Sequence, residues 1–314
     1  MRGILTDESG KTLCEASIPT PLAVDAARGT FEQRPDAYTA GVTAICRDLA
    51  ARHPVDAVSV SAFRSAPTLV DRDGNALCNF IMWQDTRNSA ICKRLSYANE
   101  AVYRATGASI NTVFTASKIT WLKENAPDVY KRAYKAMIVP DYVVHFMTGA
   151  FVTDRTYGSR TSLMNIERLE WDAELCALFN VDAEKLCDLV DQGTVVGRVR
   201  EAFARLTGIA VGTPVVSAGG DQQCGALGLG VTDTSTIEVN SGTGSFVISV
   251  TDAPYLENPR VICNVAATPG KYILEMNILA TASALNWLIR EYFPEYGGDA
   301  PDYGAVNRAA ELSP

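Results

Sequence analysis

The chain has 314 residues, enough for two domains of ordinary size, and its 47% hydrophobic and 20% charged residues are typical of a globular protein. Its net charge of -8 argues against nucleic acid or an anionic membrane as a main partner, because both bind basic surfaces. No apolar stretch is long enough to span a bilayer, and two histidines, His53 and His145, are too few for a multi-histidine metal site.

The predicted elements alternate between strands and helices along the chain. Alternating or continuous apolar runs predict strands over residues 3–6, 12–16, 55–61, 67–70, 193–199, 213–217, 236–240 and 246–250. Helical spacing of apolar residues predicts helices over 36–52, several within 86–149, 222–229 and 283–292. Asp36 is placed to cap the first helix. This order predicts an α/β fold with layered helices, divided near residues 228–230.

Asp221 is the first candidate for chemistry. It follows the apolar strand 213–217 and the pair Gly219-Gly220, so it lies where a strand gives way to a loop. Ligands of α/β proteins gather at such strand ends, and a carboxylate there can accept the proton of an attacking hydroxyl. The alternative is that Asp221 only caps the following helix.

A glycine turn, Ser241-Gly242-Thr243-Gly244-Ser245, is the second candidate. Its backbone N–H groups and hydroxyls can form an anion-binding concavity, although an ordinary hairpin turn is the alternative. A dinucleotide site is disfavoured, because that motif needs a helix after the glycines and residues 246–250 are strand-like.

Two further segments carry candidate ligand contacts. Trp83 can form a stacking wall for a sugar-like ligand, or it can belong to the core, and Asp85 can cap the next helix. Arg64 can bind substrate hydroxyls, or it can be a surface charge.

Together these residues resemble the FGGY carbohydrate kinase family over nearly the whole chain. The resemblance is carried by the order and spacing of short motifs: Glu32-Gln33 with Pro35, Trp83-Gln84-Asp85-Thr86-Arg87, Lys118 with Trp121-Leu122-Lys123-Glu124-Asn125, Asp141-Tyr142, Thr148-Gly149, Ser159-Arg160-Thr161, Gly219-Gly220-Asp221-Gln222 and Ser241-Gly242-Thr243-Gly244.

The resemblance implies an actin-like (ribonuclease H-like) ATPase fold and an ATP- and Mg²⁺-dependent kinase acting on a polyol or sugar. Residues 1–229 match the substrate-side domain, and residues 230–314 match the start of the nucleotide-side domain. Asp221 matches the catalytic base, and Gly242, Thr243 and Gly244 match a phosphate loop.

The glycerol kinase branch is most similar at the substrate positions Arg64, Trp83, Asp221, Gln222 and Phe246. Two departures stand out: Ser65 replaces an expected glutamate, and Val113 replaces an expected tyrosine. Both remove hydrogen-bonding groups and make room, so we expect a substrate other than glycerol, such as a larger polyol or a ketose.

The same resemblance predicts that the first domain lacks its first strand, which in the family carries an Asp-x-Gly-Thr phosphate loop, and that the second domain is partial. We therefore expect this chain alone to be poorly stable and inactive, since neighbouring strands lose ladder partners. A non-catalytic sugar-binding or regulatory remnant is the alternative function. In-frame coding sequence on both sides would favour an ordinary kinase, and stop codons would favour the remnant.

The eight cysteines form no C-x-x-C pair, so we expect free thiols in a reducing cytoplasm. The expected partner is a small polyol or sugar, with no nucleic acid and no membrane, and a homodimer is a compatible assembly. No set of metal-ligating residues is predicted. Both histidines are expected to be structural or solvent-facing.

Overall fold

The computed structural model describes residues 1–241, 245–278, 280–298 and 301–312, in which strands alternate with helices. The helices are α1 (Pro35–Ala50), α2 (Ser89–Arg94), α3 (Asn99–Thr106), α4 (Thr115–Asn125), α5 (Pro127–Arg132), α6 (Val139–Thr148), α7 (Arg155–Gly158), α8 (Ala173–Leu178), α9 (Glu201–Thr207), α10 (Asp221–Gly228), α11 (Ala282–Tyr292) and α12 (Tyr303–Glu311). The strands are β1 (Arg2–Thr6), β2 (Thr12–Ser17), β3 (Ala23–Asp25), β4 (Thr30–Gln33), β5 (Val58–Ala62), β6 (Pro67–Val70), β7 (Phe80–Ile81), β8 (Lys135–Ile138), β9 (Val152–Asp154), β10 (Met164–Asn165), β11 (Glu170–Trp171), β12 (Asp188–Val190), β13 (Val195–Arg198), β14 (Pro214–Gly220), β15 (Ile237–Ser241), β16 (Ser245–Thr251), β17 (Ile262–Val265) and β18 (Tyr272–Ile278).

The sheet β13-β14-β5 positions the candidate site. Strand β14 runs parallel to β5 and antiparallel to β13. In the parallel pair Gly220 lies opposite Ala62, so both strands end at the same edge of the sheet. The residues that follow, Asp221 and Arg64, are therefore brought together by strand pairing.

Helices α1, α6 and α9 cover this sheet with apolar side chains. Val42 of α1, Val143 and Met147 of α6, Phe203 of α9 and Val215 of β14 belong to one buried cluster. Burying an apolar side chain of this size contributes about 1.5–3 kcal/mol, so this packing holds the strand ends in place. The apolar stripe predicted for α1 is thus confirmed.

Asp36 does not cap α1 as predicted. The helix begins one residue earlier, with Pro35 in its first turn and Arg34 at the cap position, and Asp36 pairs instead with the Arg34 guanidinium. Proline is favoured at a first helical position, because its fixed φ suits the helix and it has no N–H to satisfy.

A second sheet, with the order β15-β16-β18-β17, is antiparallel throughout. It docks on the first part of the chain through backbone and side-chain hydrogen bonds. The amide of Cys263 donates to Gly107 O at 2.8 Å, and the hydroxyl of Tyr103 donates to Asn258 O at 2.6 Å. Strands β17 and β18 were not among the predicted elements.

A cavity of about 610 Å³ separates β1 from β5. Among the described strands, β1 is paired with β2 and β5 is paired with β14. Apolar side chains of α1 and α6, including Ile45 and Met147, line the cavity between the two strands.

The placement of the two histidines and the free state of the cysteine thiols agree with what the sequence predicts. His145 is buried in α6 and its Nδ1 lies 3.3 Å from Ala150 O, while burial lowers its pKa; His53 is exposed. All eight cysteines are free thiols. Within the described ranges, the helices are too short or too polar to cross a membrane.

Candidate active site

Asp221 lies at the point where β14 passes directly into α10. Gly219 before it has φ +110°, and a Cβ there would lie 3.2 Å from Thr156 Oγ1, so the sharp turn requires glycine. The side chain of Asp221 is 51% exposed, and its Oδ1 accepts a hydrogen bond from the backbone N–H of Gln222 at 2.8 Å. Gly220, not Asp221, is at the cap position of α10. The exposed carboxylate leaves room for a ligand hydroxyl.

The backbone before Asp221 is fixed by hydroxyl groups of α7 and β5. Gly219 O accepts hydrogen bonds from Tyr157 at 2.7 Å and from Ser61 at 2.9 Å. The Gly220 amide donates to Thr156 Oγ1 at 2.9 Å. Because the Tyr157 and Thr156 side chains are buried, their hydrogen bonds hold the Asp221 backbone in one conformation.

Arg64 is buried against the start of α10, so the alternative that it is a surface charge is wrong. Its Nη1 donates to Gln223 Oε1 at 2.7 Å, and its Nη2 donates to Gln222. Its Nε lies 3.7 Å from Asp221 Oδ1. The structure therefore brings together Arg64, Asp221 and Gln222, while their contacts with a ligand stay a prediction.

A buried carboxylate of the second sheet also reaches Arg64. Glu275 of β18 is 1% exposed, and its Oε2 lies 3.9 Å from Arg64 Nη2. Its Oε1 accepts a hydrogen bond from Arg160 Nη2 at 3.2 Å. Burial lowers the pKa of Arg160 to about 10, and its guanidinium stacks over the Phe114 ring. Two arginines and two carboxylates thus form one balanced group around the strand ends.

Sequence reasoning missed the roles of Glu275 and Arg160. The two residues are hydrogen-bonded to each other but lie 115 residues apart in the chain, so no local pattern links them. One signal was present: Glu275 is a lone carboxylate inside the strand-like run 272–278. A charge in such a run is expected to find a buried partner.

Trp83 is not part of the core. It is 45% exposed in the loop that follows β7. The carbonyls of its neighbour Met82 and of Ser65 both accept hydrogen bonds from the Lys118 ammonium, at 2.8 and 2.9 Å. One cation therefore holds the Trp83 and Arg64 segments side by side.

Asp85 does not cap the next helix. That helix, α2, begins at Ser89 with Asn88 at its cap position. Asp85 is fully buried instead, accepts a hydrogen bond from the Phe31 amide at 2.7 Å, and pairs with Arg87 at 2.8 Å. Arg87 also pairs with Glu32 at 2.7 Å, so this group braces the loop that carries Trp83.

Phe246 lies on the sheet face that Glu275 shares. Along β16 and β18, Phe246 is opposite Asn277 and Ile248 is opposite Glu275, so the alternation of side chains puts Phe246 and Glu275 on the same face. The predicted phosphate-loop residues Gly242, Thr243 and Gly244 lie outside the described residues.

The described residues do not by themselves fit a Mg²⁺ site. No group of three or more His, Cys, Asp or Glu side chains in the part of the chain that the structure describes is arranged to hold a metal. Ser241 and Ser245, which flank the glycine turn, bond to each other. We therefore derive no step through a bound metal.

The model of the FGGY family of carbohydrate kinases, N-terminal domain, matches residues 1–228. A glycerol kinase from Thermococcus kodakarensis is 30% identical over 242 residues, which cover 74% of this chain and 48% of that kinase. A xylulose kinase from Bacillus subtilis is 28% identical over 302 residues, 94% of this chain and 60% of that kinase. The crystal structure of a xylulose kinase from Rhodospirillum rubrum superposes with a TM-score of 0.92 at 24% identity, covering 99% of this chain and 65% of that one.

The chain belongs to the FGGY family of carbohydrate kinases, because the family model matches more than half of it. Its fold is the actin-like α/β fold of those kinases, as predicted. The chain spans about half the length of the curated glycerol kinases that it matches.

Proposed function

We propose that this chain takes part in the ATP-dependent phosphorylation of a hydroxyl group on a polyol or sugar, with Asp221 as the general base. The observation that carries the proposal is the exposed Asp221 carboxylate 3.7 Å from the buried Arg64 guanidinium, at a shared strand edge. Relatives named glycerol kinase and xylulose kinase support a small carbohydrate as the substrate.

In this proposal Asp221 accepts the proton of the attacking hydroxyl as that oxygen bonds to the transferred phosphorus. Such proton transfer contributes about 10²- to 10⁴-fold to a rate. Arg64 and Gln222 hold neighbouring hydroxyls, and Trp83 and Phe246 cover apolar faces of the substrate. ATP would supply the phosphoryl group, and the predicted phosphate loop Gly242, Thr243 and Gly244 would bind its phosphates.

We further propose that the substrate is larger than glycerol. The hydroxyl of Ser65 donates a hydrogen bond to Arg160 O at 3.2 Å, so it is bonded to the backbone. It therefore does not offer the ligand the carboxylate of the glutamate that the resemblance led us to expect. Val113 offers no hydroxyl to the same region. Calorimetry on a panel of polyols and ketoses tests this, and a clear preference for glycerol would contradict it.

Asp221→Asn is the decisive variant for the general base. We expect polyol affinity to stay within about threefold, because the amide oxygen still accepts a hydrogen bond. Any phosphoryl transfer that the wild-type chain shows falls by about 10²- to 10⁴-fold. Asp128→Asn is the matched control, since Asp128 is an exposed aspartate in the first turn of α5.

The outcomes separate the candidate functions. A variant Asp221→Asn that keeps full turnover would remove the general base from the proposal. Turnover by the wild type favours the kinase over a non-catalytic sugar-binding protein, whereas binding without turnover fits both the non-catalytic protein and a kinase chain that is inactive alone. No binding across the panel contradicts both. A homodimer stays a prediction, to be checked by light scattering against the 33.8 kDa monomer.

A further inference from the structure

Lys118 is a buried cation in the middle of α4. Its side chain is 0% exposed, and its Nζ donates hydrogen bonds to Ser65 O at 2.9 Å, Met82 O at 2.8 Å and Val113 O at 3.0 Å. An ammonium has three N–H donors, so all of them are used on backbone carbonyls. Burying a charge is costly unless it is well bonded, so this arrangement calls for an explanation beyond packing.

The three carbonyls belong to three separate segments that carry proposed substrate positions. Ser65 follows Arg64 after β5, Met82 precedes Trp83 after β7, and Val113 precedes α4. No strand pairing among the described residues joins these three segments directly to one another. The Lys118 ammonium is therefore their shared hydrogen-bond partner.

The backbone at Ser65 shows that this position is held in place. Ser65 has φ +66°, a left-handed conformation that is uncommon for residues other than glycine. The segment is restrained by the Lys118 bond to its carbonyl and by the bond from its own hydroxyl to Arg160 O. Such conformations persist where the surroundings determine them, and they cluster at ligand sites.

We propose that Lys118 is a positioning residue that sets the polyol affinity of the site by fixing the Arg64, Trp83 and Val113 segments relative to one another. This inference rests on the proposed function for the identity of the ligand. Lys118 acts through these segments and does not itself contact the substrate.

The proposal predicts that polyol affinity falls as the pH rises through the pKa of Lys118. Asp85 and Arg87, after β7, and Cys92 of α2 are the titratable groups that act on Lys118, and burial lowers its pKa to about 7. Above that pH the ammonium loses one donor and its charge, so one carbonyl loses its partner and polyol affinity falls.

Stability responds in the opposite direction. The unfolded lysine keeps its proton up to about pH 10.4, so between pH 7 and that value the unfolded chain binds more protons than the folded chain. The contribution of Lys118 to the free energy of unfolding therefore rises with pH in this window, while affinity falls. If Lys118 had only a structural role, polyol affinity would not fall over the pH range in which stability rises.

The test compares Lys118→Met with Lys123→Met, a partly exposed lysine on the same helix that bonds Asp182 away from the site. Calorimetry with the polyol and ketose panel measures affinity, and hydrogen exchange measures the amides of residues 63–66, 81–84 and 111–114. We expect Lys118→Met to bind roughly tenfold more weakly and to exchange faster in all three segments, with Lys123→Met unchanged.

Each outcome decides the inference. Unchanged affinity in a folded Lys118→Met, or faster exchange in only one of the three segments, would overturn it. If that variant does not fold, wild-type affinity between pH 6 and 8.5 decides, and a flat profile overturns it. A wild type that binds no panel member removes the proposed function and the affinity part of this inference, and the exchange comparison then decides whether Lys118 fixes the three segments.

Discussion

Arg64 links several residues of the candidate site, and the shape of its guanidinium explains how. The planar fork points separate N–H groups at Gln222 and Gln223, with its Nε toward Asp221. Because this geometry is fixed, it orients the first turn of α10 as well as placing a positive charge beside the candidate base.

Arg64→Lys should therefore weaken polyol binding although it keeps the positive charge. A lysine ammonium is a single point and cannot reach both glutamines and the carboxylate, so we expect polyol affinity to fall by about tenfold. Arg205→Lys, at an exposed arginine of α9, is the control. Calorimetry measures the polyol affinity of both variants, and equal affinities would show that only charge matters at position 64.

At the scale of elements, the turn from β14 into α10 depends on how closely backbone and side chains pack. A Cβ on Gly220 would lie 2.7 Å from Arg64 Cδ and 2.4 Å from Gln223 Oε1. Since Arg64 is buried and hydrogen-bonded, it cannot move aside without losing its partners.

Gly220→Ala is expected to displace Arg64 and to weaken polyol binding by about tenfold or more, with a loss of about 1–3 kcal/mol in the free energy of unfolding. Gly225→Ala is the matched control in the same helix, because a Cβ there meets no atom within 4 Å. Alanine also favours a helix interior, so the control should be neutral or stabilising. Calorimetry and urea unfolding measure the polyol affinity and the free energy of unfolding of both variants. If Gly220→Ala changes neither quantity, the turn is not tightly packed.

The parts of the site that depend on strand order were predictable from the sequence. Apolar runs identified β5 and β14, and the rule that ligands gather at strand ends selected Asp221. Arg64 was a candidate because it lies beside an apolar strand, with a surface charge as its alternative. The partners of Lys118 and Glu275 were not predictable, because they come from distant segments and no local pattern places them together. Asp85 was given a capping role for the same reason, because its partner, the Phe31 amide, is distant in the chain. Asp36 was given one because the helix begins at Pro35, one residue earlier than predicted.

At the scale of the whole molecule, the second sheet is attached to the first part of the chain by buried polar contacts. They include the Glu275 pair with Arg160 and the bond from Gln192 Nε2 to Ala266 O at 2.7 Å. The division into domains 1–229 and 230–314 stays a prediction. These contacts favour cooperative unfolding of the two parts, since each would leave buried polar groups unpaired if they separated.

Gly107→Ala tests that coupling at one contact. Gly107 ends α3 with φ +74°, and a Cβ there would lie 2.3 Å from Cys263 O, at the point where β17 docks. Gly208→Ala is the control, because Gly208 ends α9 with φ +80° and its Cβ would meet nothing within 4 Å.

Both variants carry the left-handed backbone cost of about 1–2 kcal/mol, so the difference between them isolates the docking contact. We expect Gly107→Ala to lose a further 1 kcal/mol or more, roughly one buried hydrogen bond, and to exchange faster at the β17 amides. Thermal unfolding and hydrogen exchange measure the two effects. Equal losses in the two variants would mean that the sheet is not held at Gly107, and that other contacts, such as the Arg160–Glu275 pair and the bond from Gln192 to Ala266, carry the coupling between the two parts.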